Sequence, residues 1–160
     1  MIIYFLRHGQ AGNRIDWKGD DDERPLTKKG KESMHREAET IVQLDLRLDA
    51  IFTSPLVRAY QTAEIVGERL LMGDNLFRDE RLSPGFGIEE LVQILQEHEE
   101  ASAIMMVGHE PDFSETISAL IGDGRVVCKK GGLARVDLLP DSPDPSGELV
   151  WLIPPKVLIR

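Results

Sequence analysis

The chain has 160 residues, 41% of them hydrophobic and 29% charged, and a net charge of −9. These values fit an ordinary soluble globular chain, expected to be one domain over residues 1–160 with a sizeable core. The acidic balance argues against nucleic acid or an anionic membrane surface as a partner, and a lone cysteine, Cys128, excludes an intrachain disulfide or a cysteine metal cluster.

The apolar run Ile2–Leu6 is β-branched and aromatic, is bounded by Gly9, and reads as a buried strand. It is too short to span a bilayer, and no basic segment with a long apolar stretch and cleavage site accompanies it, so a cytoplasmic location is expected. The charge run Asp20–Glu23 reads as a solvated loop. Thr27 can cap a helix through Glu32, Met34, Ala38, Ile41, Val42 and Leu44, which share a stripe. Ala50–Thr53 is a second strand, and Pro55 opens a helix through Ala59, Ala63, Ile65, Val66 and Leu70. Ile88 to Leu95 forms a third helix, and Ala103–Val107 a third strand. Pro111 opens a fourth helix through Ile117, Ala119, Leu120 and Ile121, stopped at Gly122. Ala134–Leu138 and Leu149–Ile153 are closing strands around a hairpin loop, Asp141–Gly147, rich in Pro, Asp and Ser. Cys128 is expected as a small buried apolar residue, and His35 and His98 as solvated helix residues.

Alternating strands and helices imply an α/β fold: a three-layer sandwich with a mostly parallel sheet flanked by helices. In such sheets ligands bind beyond the carboxyl ends of the strands. Three strands here end in notable residues. The first runs into Arg7-His8-Gly9, the second into Ser54-Pro55 with Arg58, and the third into Gly108-His109-Glu110-Pro111. Arginine is a bidentate clamp for phosphate oxygens. A neutral histidine can act as a nucleophile. Two of the three segments begin helices, whose N-termini favour anions.

These residues resemble the signature segments of the histidine phosphatase superfamily, which includes the phosphoglycerate mutases. They are Arg7-His8-Gly9, Ser54-Pro55 with Arg58 and Gln61-Thr62, and Gly108-His109. Arg24-Pro25-Leu26-Thr27 followed by Gly30, Val107-Gly108-His109-Glu110-Pro111, and Lys129-Lys130-Gly131-Gly132 look most like the phosphohistidine phosphatase branch. The resemblance implies that His8 is the nucleophile and carries a transient phosphoryl group, its tautomer fixed by a backbone carbonyl near Gly9. Arg7 and Arg58 would clamp the nonbridging oxygens, and His109 would stabilise the transition-state charge. Arg24 could reach the phosphate from its loop or serve a plain surface role. Phosphoryl transfer by positioning and charge needs no metal and no cofactor.

One departure bears on the substrate. Mutases and many phosphomonoesterases of the superfamily carry a glutamate acid about where this chain has Leu82-Ser83-Pro84-Gly85. Pro84 cannot donate a proton, and only Glu80 and Asp112 stand as substitutes. An alkoxide leaving group benefits from a general acid, whereas a histidine, with a reference pKa of about 6.5, leaves more easily. The expected activity is thus removal of phosphate from a phosphohistidine-bearing protein. A phosphomonoesterase for small phosphorylated metabolites, using Glu80 or Asp112, is the alternative. A non-catalytic phosphate-binding domain is the alternative outside enzymes. Oligomeric state is not legible.

Overall fold

The buried strands alternate. In β1 (Ile2–Arg7), Ile3 and Phe5 face one side of the sheet, while Tyr4 and Leu6 face the other. In β4 (Ala103–Gly108), Ile104 and Met106 join the first side, and Met105 and Val107 the second. Both faces are apolar, as a sheet covered on both sides requires. The computed structural model describes residues 1–140 and 144–159.

Six strands form one sheet in the order β3-β2-β4-β1-β5-β6. The strands β3 (Leu76–Arg78), β2 (Ala50–Thr53), β4 and β1 run parallel. The strands β5 (Leu133–Leu138) and β6 (Gly147–Ile153) add an antiparallel edge. Helices α1 (Lys28–Gln43), α2 (Val57–Arg69) and the short α5 (Pro155–Leu158) cover one face. Helices α3 (Ile88–Glu97) and α4 (Asp112–Leu120) cover the other, with Phe113 edge-on to both Phe5 and Phe86. The result is the expected α/β three-layer sandwich.

Several sequence expectations are corrected. Val42 and Leu44 do not belong to the buried stripe of α1: they are 43% and 37% exposed, because the buried face is set by Met34, Ala38 and Ile41. Pro55 and Pro111 precede their helices, which start at Val57 and Asp112. His98 lies over the Phe52 ring, centroids 4.6 Å apart, and is only partly solvated; His35 is exposed. The strand β3 and the helix α5 lacked a periodic signal because each is too short to show one. Asp141 and its two followers, the first part of the expected hairpin loop, lie outside the described residues, but the flanking strands pair from Leu138↔Gly147 onward. Among the described residues, no helix is long and apolar enough to cross a membrane.

Candidate active site

Strand register brings the signature segments together. Leu6 and Thr53 both pair with Val107, and Arg7 pairs with Gly108. His8 N–H continues the ladder to the Gly108 carbonyl at 3.1 Å, and Ser54 N–H to that of Val107 at 2.9 Å. The three strands therefore end at one level, and Arg7, His8, Arg58 and His109 open into one cavity of about 700 Å³. Arg24, Arg14, Asp21, Asp22, Pro84, Glu110 and Lys130 also line it.

His8 is buried, and its Nδ1 lies 2.7 Å from the Gly9 carbonyl. A carbonyl only accepts, so Nδ1 carries the proton and Nε2 keeps its lone pair. The carbonyl expected to fix the tautomer is thus that of Gly9. Burial first, then the charges of His109, Arg58 and Arg7, push His8 down to about 3, against the opposing bond to Gly9. The His109 ring stands 5.3 Å from it, centroid to centroid, and is pushed down to about 4 by burial and by Arg58. Both rings are neutral at neutral pH in the empty site.

The orientation of His109 comes from Ser54, whose Oγ lies 2.8 Å from His109 Nε2. That hydroxyl also accepts from Leu56 N–H at 3.3 Å, which ties it to the start of α2. Arg7 Nη1 donates to the Cys128 carbonyl at 2.8 Å. Cys128 is buried as expected, but its main chain has the added task of holding Arg7.

Arg58 is 5% exposed, and its fork is engaged by one residue: Nη1 donates to the Asp21 carbonyl at 2.7 Å and Nη2 to Asp21 Oδ2 at 3.1 Å. Asp21 Oδ1 accepts from Arg24 Nε at 2.9 Å, while Arg24 Nη1 donates to the Gly12 carbonyl at 2.6 Å. The hydrogen bond from Arg24 and the charges of Arg58 and Arg24 hold the Asp21 carboxyl below the usual carboxylate range. The charge run Asp20–Glu23 is therefore not merely a solvated loop. It forms a short 3-10 turn whose Asp21 faces the site, while Asp20, Asp22 and Glu23 are exposed. A run of four acidic residues gives no sign of which one turns inward. Arg24 lines the cavity and its side chain is 12% exposed, so it is not a plain surface residue.

The remaining motif residues tie the loop down. Thr62 Oγ1 accepts from Gly9 N–H at 3.0 Å, and Gln61 Oε1 from Leu26 N–H at 2.9 Å. Neither Glu80 nor Asp112 lines the cavity. Glu80 is exposed, and Asp112 Oδ2 accepts from Gly85 N–H at 2.8 Å, fixing the turn that presents Pro84. Sequence reasoning passed over Glu110, which lines the cavity as Asp21 and Asp22 do, although it stands beside His109 in the quoted motif. Its two oxygens accept from Ser114 N–H at 3.1 Å and Ser114 Oγ at 2.6 Å.

Residues 3–102 match the family described as histidine phosphatase superfamily (branch 1). This chain belongs to that superfamily. Phosphatases are among its members. An uncharacterized protein of Picosynechococcus sp. is 33% identical, the alignment covering 99% of both chains. Among solved structures, the protein histidine phosphatase SixA in complex with tungstate superposes with a TM-score of 0.85 at 24% identity, over 98% of each chain. The alpha-ribazole phosphatase from Shigella flexneri superposes with a TM-score of 0.73 at 18% identity, over 93% of this chain and 95% of that one. At these identities the likeness to the two solved structures is one of fold.

Proposed function

We propose that this superfamily member is a metal-independent phosphohistidine phosphatase acting on a protein. The observation that carries the reading is the place of Pro84: it faces the cavity where the related enzymes carry their acid, while Glu80 and Asp112 do not, and Asp22 lines the cavity only as an exposed residue of its rim. Asp21 is held ionised by its arginines, and both oxygens of Glu110 are taken by Ser114. Such a wall suits a leaving group that departs without a positioned acid. The higher fold similarity to SixA than to the ribazole phosphatase points the same way.

In the proposed reaction His8 Nε2 attacks the phosphorus of the substrate phosphohistidine. A P–N bond forms as the substrate's P–N bond breaks, and the departing electron pair stays on a substrate ring whose other nitrogen bears the proton. Arg7 and Arg58 hold the nonbridging oxygens, Arg24 adds charge from the loop, and His109 donates from its N–H, so the charge of the transition state meets preorganised donors. Water then attacks the phosphorus of phospho-His8, releasing phosphate and restoring the neutral ring.

Rapid-quench labelling with a phosphohistidine protein should place phosphate on His8, and turnover of that protein should exceed that of sugar and nucleotide phosphates. Faster turnover of the small esters overturns the substrate assignment. Unchanged activity in His8→Ala overturns the mechanism.

A further inference from the structure

The seven lysines of this chain are unevenly placed. Six of them stand in three segments, Lys28, Lys29 and Lys31, then Lys129 and Lys130, then Lys156. The fold brings these segments to one place. Lys29 from the start of α1, Lys130 from the turn before β5 and Lys156 from α5 line a second cavity of about 430 Å³. It shares Gln10 and Lys130 with the cavity around His8, so the two open side by side.

Nothing in the fold explains this clustering. All six lysines are exposed, and among the described residues no ion pair involves a lysine. Lys28, Lys29 and Lys31 occupy the first turn of α1, which has no acidic residue. Cations there oppose the helix dipole and cost stability. On a chain of net charge −9, this is a concentration of positive charge set against local stability.

The floor of the second cavity is Glu37, 2% exposed, with Ser33 Oγ donating to Oε1 at 3.1 Å and Oε2 lacking a partner among the described residues. Burial pushes its carboxyl up to about 7, so it cancels little of the positive charge at mildly acidic pH. Elsewhere on the rim of the His8 cavity stand the exposed Asp22 and, beside it, Asp20 and Glu23. Arg14 and Arg24 stand on that side too, Arg14 at 3.7 Å from Asp21, so the mouth is basic on the Lys130 side and of mixed charge on the Asp22 side.

We infer that Lys29, Lys130 and Lys156 form a docking surface for an acidic segment of the protein substrate, next to the phosphohistidine that enters the His8 cavity. This rests on the proposed phosphohistidine phosphatase reading. Ammonium groups from three separate elements suit several carboxylates along a chain, and charges at a rim chiefly raise the association rate and select partners. The mixed-charge side offers the same segment no such concentration of cations, so the segment is drawn to the Lys130 side of the mouth.

The test is the double variant Lys29→Glu/Lys156→Glu, with Lys29→Ala/Lys156→Ala as the milder pair. Neither lysine lines the His8 cavity. On a phosphohistidine protein with an acidic flank, kcat/KM should fall about tenfold in the charge-reversed pair, less in the alanine pair, and the loss should shrink as salt is raised. Hydrolysis of free phosphohistidine should be unchanged, which also shows that the variants fold. Anisotropy of a labelled oligoglutamate peptide should report binding to the wild type and its loss in the charge-reversed pair. Equal kcat/KM on the phosphoprotein, or equal peptide binding, in wild type and variant overturns the docking surface. So does sedimentation of the wild type, but not the variant, with phosphatidylserine vesicles when the peptide is not bound. A wild type that leaves phosphohistidine untouched overturns the functional reading instead, and the peptide arm still reports on the surface.

Discussion

Acidification should destabilise the ligand-free protein through His8, and the size of the effect follows from its surroundings. The folded protein holds His8 down to about 3 and His109 down to about 4, whereas an unfolded histidine titrates near 6.5. Below pH 6.5 the unfolded chain binds protons that the folded chain refuses. Stability therefore falls with pH, by about 1.4 kcal/mol per unit for each ring, from pH 6.5 until the folded value is reached. Between pH 7 and 5 each histidine should remove about 2 kcal/mol. Glu37 works in the opposite sense. Its folded value of about 7 lies above the unfolded carboxyl, so its contribution is present at low pH and lost as pH rises through 7, returning about 2 kcal/mol over the same two units.

The net change in the wild type is then a small loss of about 2 kcal/mol, and the informative quantity is the difference between proteins. In His8→Asn, which keeps a polar side chain but cannot titrate, stability should be nearly level between pH 7 and 5. In Glu37→Gln the loss should grow to about 4 kcal/mol. Urea unfolding followed by tryptophan fluorescence at pH 7, 6 and 5 measures each slope. If His8→Asn loses as much stability between pH 7 and 5 as the wild type, the neutral, desolvated His8 described above is wrong.

Other substitutions test other contacts. Asp21→Asn should leave Arg58 and Arg24 less firmly held and lower kcat/KM for a phosphorylated substrate about tenfold, the worth of one charge-assisted hydrogen bond; tighter binding of inorganic phosphate would show instead that Asp21 competes with the ligand. Glu110→Gln should leave phosphohistidine hydrolysis within a few-fold of wild type by steady-state assay, and a collapse confined to ester substrates would mark Glu110 as a general acid. Gly131→Ala should destabilise by about 2–4 kcal/mol, because φ is +78° there and a Cβ would run into the Glu37 carboxylate. The fall in Tm, on the order of 10 °C, can be read by calorimetry.

The fold was legible where periodicity is long. The strand of Ile2 to Leu6 and the α1 and α2 stripes each repeat often enough to declare a face, and the strand ends follow from them. Arg7, His8, Arg58 and His109 were legible because each sits at or just past such an end. Residues that act through the chain's return path were not. Asp21 reaches Arg58 across 37 positions, and the Cys128 carbonyl reaches Arg7 across 121, and no local pattern encodes either contact. Glu110 was overlooked for another reason. Glu80 and Asp112 were weighed as substitutes for the absent acid, whereas cavity lining is decided by the parallel strand ends, which put the residue after His109 on the wall of the His8 cavity.

The same geometry explains how a chain of net charge −9 can hold a phosphoryl group. Arg7 and Arg58 keep their charge despite burial because each donates to a backbone carbonyl, Arg7 to Cys128 and Arg58 to Asp21, and Asp21 adds a carboxylate to Arg58. Each still has donors that its fold partners do not use. The two histidines between them stay neutral because burial, and after it those guanidiniums, penalise a third and fourth positive charge. In the proposed reaction an arriving phosphoryl dianion would reverse that balance, favouring a proton on His109 while His8 Nε2 is committed to phosphorus. The fixed arginines thus add to burial in keeping the two rings neutral, and the same charges would stabilise a bound phosphoryl group. Removing Arg58 should accordingly both weaken phosphate binding and raise the titration point of His109. Chemical-shift titration of its ring by NMR in Arg58→Gln would detect the rise, and an unshifted His109 would break the link.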